Sequence, residues 1–426
     1  AAAPAPEEAL KGYVGKAAVA AGETFDPSPA NIDARTTTFT LGDGLKVSLL
    51  PKDTRGDTVW VSASFRYGDI ATLRRFPAAA PGAVGEMLMR GTNARSREDI
   101  AQRLEALKTT ANVFGGAQRA VVTMQSRREH LTDALSLVAE VLRTPSFPAS
   151  EFEQYKLQAI TGLENSRKEP STIASLALYG HFDPWPSDHP YRLRSIEEQL
   201  ADLRALTRED VVGYHRAVYG TADGEIAIVG DFDPVALRAQ LEALFAGWRS
   251  PVPHEDVPDS YMEVAARSAR FETSDKANAT LMARSNLALN EDDPEYPALV
   301  VANNILGGSA LSSRLGDRLR QKEGLSYSVS SNLFAGSAPT RREDDGGLML
   351  QAIAAPQNVD KAETAIREEL ARFVRDGITA EELKKSVTDL LTRREQGRAS
   401  DGSVAGTLSR NAYMGRAMDW TARFEA

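Results

Sequence analysis

The 426-residue chain contains no cysteine, so it has no disulfide, no thiolate metal site and no cysteine nucleophile. That absence suits an exported protein. No apolar run approaches the roughly 18 residues of a membrane span, which argues against a membrane-embedded protein. Positive charge is not in excess either: the formal net charge is −9, and broad nucleic-acid binding needs a basic surface to neutralise phosphates. Histidine is scarce, with five in all. No Gly-x-Ser-x-Gly elbow and no phosphate loop occurs. The first residues, Ala1 to Ala9, lack a basic and then apolar leader pattern, so no signal peptide is expected there; a leader already removed, or a domain upstream, is compatible with that reading.

What is present is the balance of a globular protein, 42% hydrophobic and 26% charged. The length suggests two domains of about 200 residues each. Residues 1–33, rich in Ala, Pro, Gly and Glu, read as a linker or an arm laid on the surface. Thr36 to Leu50 reads as two strands around the turn pair Asp43-Gly44. Thr58 to Tyr67 places Val59, Val61, Ala63 and Phe65 on one face of a third strand. Helices are expected at 78–90 and 97–107, strands at 109–114 and 119–126, then helices over 130–180 broken by Pro145, Pro148 and Pro170. Helices at 207–218 and 234–247 bracket a strand from Glu225 to Val229.

Pro251, Pro253 and Pro258 mark a linker at 251–264 between a first domain, 34–250, and a second, 265–426. Strands are then expected near 267–272 and 278–289, helices at 295–306 and 311–322, strands at 325–334 and 346–354, and helices at 359–375, 380–398 and 402–414. Sliding the chain by 231 positions lays Ala134 on Ala365, Phe152 on Leu383 and Ala174 on Ala405. Apolar falls on apolar across a shared loop, which points to an internal duplication. Each half is then an α+β sandwich, a sheet with helices packed on one face. At this offset Ala426 falls opposite Ser195, so the second domain is expected to be truncated and its sheet one strand shorter than the first.

The strongest local signal is Asn304-Ile305-Leu306-Gly307-Gly308, then Ser312-Ser313-Arg314-Leu315, then Arg320 through Gly324 to Tyr327. Singly, Arg320 reads as a solvated helix residue and Tyr327 as a half-buried strand residue. Gly324 suits a left-handed helix end, which puts Arg320 in the last helical turn and Tyr327 near the start of a strand.

As an ordered run, these residues resemble the second domain of the pitrilysin/insulinase family of zinc metallopeptidases, whose fold is that of mitochondrial processing peptidase. The resemblance implies two homologous domains, each a mainly antiparallel sheet with helices on one face. It also implies that Arg320 and Tyr327 bind substrate, donating hydrogen bonds near the scissile carbonyl, where negative charge grows in the transition state. In the first domain, Pro81 to Thr92 is similar to the family's metal-binding helix, and Met87-Leu88-Met89-Arg90-Gly91-Thr92 matches its tail. The inverted motif His-x-x-Glu-His is replaced: its first His falls on Gly82, its Glu on Gly85 and its second His on Glu86.

Zinc catalysis needs three ligands, an open position for water and a base. Glycine supplies neither ligand nor base, and the expected role of Glu86 is an i,i+4 pair with Arg90. The family's third ligand, a Glu about 75 residues downstream, aligns with Gly162 or Glu164, and neither choice makes a zinc site. His130, His181, His189, His215 and His254 form no replacement motif, and His181 and His189 read as loop or surface residues. The resemblance therefore implies a non-catalytic half that binds no metal and helps position a peptide. Its partner is a catalytic half with His-x-x-Glu-His and the zinc, fused or a separate subunit. A purely structural subunit is the alternative. An active zinc peptidase in its own right is contradicted by Gly82 and Gly85.

Overall fold

A computed structural model describes residues 21–42, 44–221, 223–274, 276–309, 312–340 and 343–426. Most of the arm expected at 1–33 lies outside these residues, as does Asp43 of the expected hairpin turn. The described end of the arm is ordered rather than a free linker. Ser28 caps a helix, α1 (Pro29–Arg35), by accepting from the Asn31 amide, and Pro29 supplies the fixed φ of a first turn. Ile32 on this helix is fully buried.

The first half builds a six-stranded sheet in the order β1-β2-β6-β3-β5-β4. Its strands are β1 (Thr37–Thr40), β2 (Lys46–Pro51), β3 (Thr58–Arg66), β4 (Thr110–Gly115), β5 (Arg119–Arg127) and β6 (Asp223–Gly230). Only β2 and β6 pair in parallel; β3 is antiparallel to both β5 and β6. The expected face Val59, Val61, Ala63 and Phe65 is buried. It packs in one core with Ile226 and Ile228 and with residues of α2 (Ala80–Met87), α4 (Leu131–Arg143) and α8 (Arg208–Val218). Helices α3 (Arg97–Ala106), α5 (Ala149–Ser166), α6 (Pro170–His181), α7 (Ile196–Ala205) and α9 (Pro234–Phe245) complete this half. A short turn, Ile70–Leu73, precedes α2.

The second half holds three strands in the order β7-β9-β8: β7 (Ala279–Ala288), β8 (Ser326–Phe334) and β9 (Asp345–Ala354). Its helices are α10 (Tyr296–Asn303), α11 (Val359–Asp376), α12 (Ala380–Arg398), α13 (Asp401–Met414) and α14 (Asp419–Glu425). The order β7-β9-β8 repeats β3-β5-β4, and α12 and α13 begin 231 residues after α5 and α6 (380 − 149 and 401 − 170), so the duplication is visible in three dimensions.

Two expectations need correcting. The second sheet has three strands fewer than the first among the described residues, not one fewer, and the strand expected at 267–272 does not form. The pairing of the first half gives the reason. There β2 joins the sheet only through β6, which stands between it and β3. No counterpart of β6 stands beside β7 among the described residues, so a segment in the position of β2 has no ladder to join.

Each sheet carries its own half's helices on one face, as expected, and a helix of the other half covers the opposite face. Trp60, Ala227 and Val229 point away from the main core and pack with Ile32, Val404, Ala405 and Leu408, placing α13 of the second half on the outer face of the first sheet. A Cβ on Gly402 would lie 2.9 Å from the Trp60 ring, so the start of α13 seats directly on that indole. Lys46 of β2 donates to the Ala412 carbonyl at 3.0 Å, and Lys52, just past that strand, pairs with Asp401 at 2.7 Å, tying down both ends of α13. In return, α6 of the first half crosses to the second sheet, where Ser175 donates to Met282 Sδ and Tyr179 to Met349 Sδ. Each half lends the other a helix because alternation leaves both faces of these strands partly apolar.

Candidate functional site

Helix α2 carries the three degenerate positions. Gly82 and Glu86 are exposed and lie one turn apart on one face, while Gly85 is buried. An ideal Cβ on Gly82 meets nothing within 4 Å, but one on Gly85 would lie 2.0 Å from the carbonyl oxygen of Gly115 at the end of β4. Real carbon and oxygen atoms do not approach so closely, so no side chain fits at 85 while β4 stays in place. Gly115 is itself hemmed in: a Cβ there would lie 2.0 Å from the Tyr219 hydroxyl. Position 85, on which the resemblance sets the family's Glu, is therefore closed by backbone-on-backbone packing.

Glu86 does not form the expected pair with Arg90. The 3₁₀ turn Leu88–Arg90 that follows α2 swings Arg90 toward α5. There its Nη2 donates to Gln158 Oε1 at 3.3 Å, and its Nη1 lies 3.6 Å from Glu151. Gly162 faces open space. Glu164 accepts from Arg204 at 2.9 Å and is occupied on the outer surface. Among the described residues, no group of three His, Asp or Glu side chains comes together as a metal site.

The histidines have local partners. His130 lies 3.1 Å from Glu129, and His254 lies 4.0 Å from Asp223. His181 shares a hydrogen bond of 2.8 Å with the Ala265 carbonyl at the end of α6. His189 stacks on Trp185 at 4.1 Å within the 182–194 loop. His215 is buried on α8 against the Leu142 carbonyl, and burial pushes its pKa down to about 4.

The second half positions Arg320 and Tyr327. Two π-helical turns, Asn304–Gly308 and Gly316–Lys322, precede β8. A Cβ on Gly307 would lie 2.7 Å from Ser331 Oγ, so glycine lets the first turn press against β8. Arg314 then forms a fork with both oxygens of Glu382, at 2.6 and 2.7 Å, which holds the Glu382 carboxyl down to about 2. Arg314 also stacks on Phe373, and Glu382 closes the capping box of α12 with Thr379. The arginine of the Ser-Arg-Leu motif is thus a clamp on α12, a role its short motif did not reveal.

Arg320 stands exposed in the last turn of the Gly316–Lys322 segment. Gly324 has φ +61°, the left-handed conformation expected of it. In β8, Ser326 pairs with Ala354 and Ser328 with Ile353, which leaves Tyr327 as the extra residue of a β-bulge. A bulge re-aims its side chain, and Tyr327 is 67% exposed. A guanidinium and a phenol, seven residues apart in the chain, are exposed at a helix end and a strand start. Such an arrangement can donate to an oxyanion or to a peptide carbonyl.

Comparison with known proteins gives the setting. Residues 84–181 match the family profile described as insulinase (peptidase family M16), and residues 205–390 match the peptidase M16 inactive domain. A Mycobacterium bovis protein named as an uncharacterised zinc protease is 27% identical over 372 residues, which cover 84% of this chain and 78% of the relative. A crystal structure of a peptidase M16 inactive domain from Pseudomonas fluorescens superposes with a TM-score of 0.76 at 23% identity, over 92% of this chain and 90% of that one. The periplasmic protease PqqL of Escherichia coli gives a TM-score of 0.70 at 16% identity, over 96% of this chain but 43% of PqqL. At such identities the solved structures speak for the fold alone. Together with the degenerate helix and the two profile matches, they establish that this chain belongs to the M16 insulinase family of zinc-protease-like proteins and carries that family's inactive domain.

Proposed function

We propose that this chain is the non-catalytic half of a zinc endopeptidase, binding and positioning a peptide for a catalytic half that bears His-x-x-Glu-His. The observation that carries the reading is the contrast between the two halves. Position 85 is sealed against Gly115, while Tyr327 is turned out to solvent by a bulge. In this reading zinc belongs to the partner half, and this chain is expected to bind none. Gly82, Gly85 and Glu86 supply at most one carboxylate, too few for a site that needs three ligands. The likeness to one part of a longer periplasmic protease, together with the absence of cysteine, supports an exported location and a paired arrangement, fused or dimeric.

Arg320 and Tyr327 would then donate to the substrate carbonyl. Tyr327→Phe keeps the ring and removes one donor, and loss of a transition-state donor typically costs about 10²–10³ in turnover. Arg320→Lys should also impair cleavage, because a point charge cannot reproduce a planar fork of donors. Both side chains are exposed, so folding should change little. The test is peptide cleavage by this chain reconstituted with its zinc-bearing partner, with metal analysis of each purified chain. Wild-type turnover in both variants, or one equivalent of zinc on this chain alone, would overturn the reading; in the first case the scaffold alternative takes its place.

A further inference from the structure

The duplication lets the first half show what should cover the second. In the first half one continuous piece of chain, α8 and then β6, does two jobs. Helix α8 packs on α2 and closes the corner where α4 turns into α5. There Arg208 donates to the Phe147 carbonyl at 2.6 Å, and the His215 ring lies 5.6 Å from that of Phe147. Strand β6 then pairs with β3 from Asp223 to Gly230. Phe147 and Phe152, at the corner so closed, are both buried.

In the second half the same positions are bare. Ile378 and Leu383 stand 231 residues after Phe147 and Phe152 (378 − 147 and 383 − 152), and they are 38% and 43% exposed. Helix α10 follows β7 as α2 follows β3. Yet α2 buries Ala80, Ala83, Val84 and Met87, while α10, with Leu299, Val300 and Val301, has no buried residue. Among the described residues β7 pairs with β9 alone. Its other edge is not blunted. Ala279 to Ala288 run in unbroken register, without proline, and the one charge, Arg284, is held by both oxygens of Asp345 on β9. The opposite edge of the sheet, β8, does carry a bulge. Sheets generally protect their edges, so a long, regular and unprotected one is a template for pairing. The chain before β7 supplies no ladder: Asn286 reaches the Met262 carbonyl only by its side chain, and residues 265–272 lie exposed.

We propose that this surface docks a polypeptide segment made of an amphipathic helix followed by a β-strand. The strand adds antiparallel to β7, as β6 adds to β3, and the helix lies on α10 and over Ile378 and Leu383, as α8 lies on α2 and beside Phe147. Main-chain hydrogen bonds along the edge hold the strand, and the apolar corner selects a helix with an apolar face. The docked strand also offers residues 265–272 the neighbour they lack. Tyr327 sits on the opposite edge, so the proposal does not rest on its role or on that of Arg320.

The probe is a synthetic peptide of residues 207–231, which carries the sequence of α8 and β6. Its binding to the whole chain is followed by fluorescence anisotropy, and hydrogen exchange maps the site. Saturable binding is expected, with slowed exchange in β7. Proline at the peptide's Ile226 and Ile228 removes ladder donors and should weaken binding at least about tenfold. Ile378→Asp or Leu383→Asp in the chain should do the same, because the helix would then bury an unpaired charge. Both side chains are already exposed, so the melting temperature should not move. The proposal is overturned by no saturable binding, by equal binding of a scrambled peptide, or by protection confined to the first sheet. It is equally overturned if sedimentation shows a dimer whose β7 is protected without peptide, since a second copy would then hold the edge.

Discussion

A methyl group is enough to separate the two glycines of α2. At position 82 it meets open space, and alanine there removes the entropic cost of a helical glycine, so Gly82→Ala should stabilise the fold by about 0.5–1 kcal/mol. At position 85 it meets the Gly115 carbonyl at 2.0 Å, so Gly85→Ala should destabilise by about 1–3 kcal/mol or more, as overpacked buried sites do. Denaturant melts of the two variants check this, and similar shifts of either sign would contradict the packing described. His215 offers a second check. Its pKa of about 4 lies below the ordinary 6.5, so the folded state prefers the neutral ring. The stability it lends is complete above pH 6.5 and is lost as pH falls toward 4, about 2 kcal/mol at pH 5. Chemical denaturation at pH 7.5 and 5 should show that loss in the wild type and a flatter profile in His215→Phe. At this scale the sequence showed which ligands were missing, because a glycine cannot hold a metal. It did not show that position 85 is sealed, because Gly115 lies thirty residues away and reaches α2 only through the sheet.

Among the elements, those with a strong local pattern were legible. The alternation of β3, the Gly324 helix end and the long helices α5, α11 and α12 all appear where apolar spacing and turn residues put them. Helix α7 was missed, although Ser195 and Glu198 form a capping box visible as Ser-x-x-Glu. The strand expected at 267–272 failed for the opposite reason: its local pattern was adequate, but a strand needs a neighbour. The exchange of α6 and α13 was not legible, since an amphipathic helix does not say which sheet it covers. That exchange gives a prediction. Leu408 on α13 is buried among Ala227, Val229 and Leu50 of the first sheet. Leu408→Ala should cost about 2–4 kcal/mol. It should also lower hydrogen-exchange protection of β6, more than 170 residues earlier in the chain. Protection loss confined to residues after 265 would refute the packing.

For the whole molecule, the exchange argues against two independent domains. A fragment ending near Ser250 would keep the main core of the first sheet but bare Trp60, Ala227 and Val229, which α13 covers. We expect one calorimetric transition for the 426-residue chain and aggregation or ANS binding for the fragment. Two well-separated transitions would show that the lent helices contribute little.

The same helix sets a clock on biosynthesis. The last strand of the first sheet ends at Gly230 and α13 ends at Met414, an interval of 184 residues (414 − 230). At about 5–20 residues per second, a ribosome needs roughly ten to forty seconds to cross it. During that time the nascent first half has its six strands but an uncovered apolar face, so holding chaperones have most to gain from this protein while its second half is still being translated.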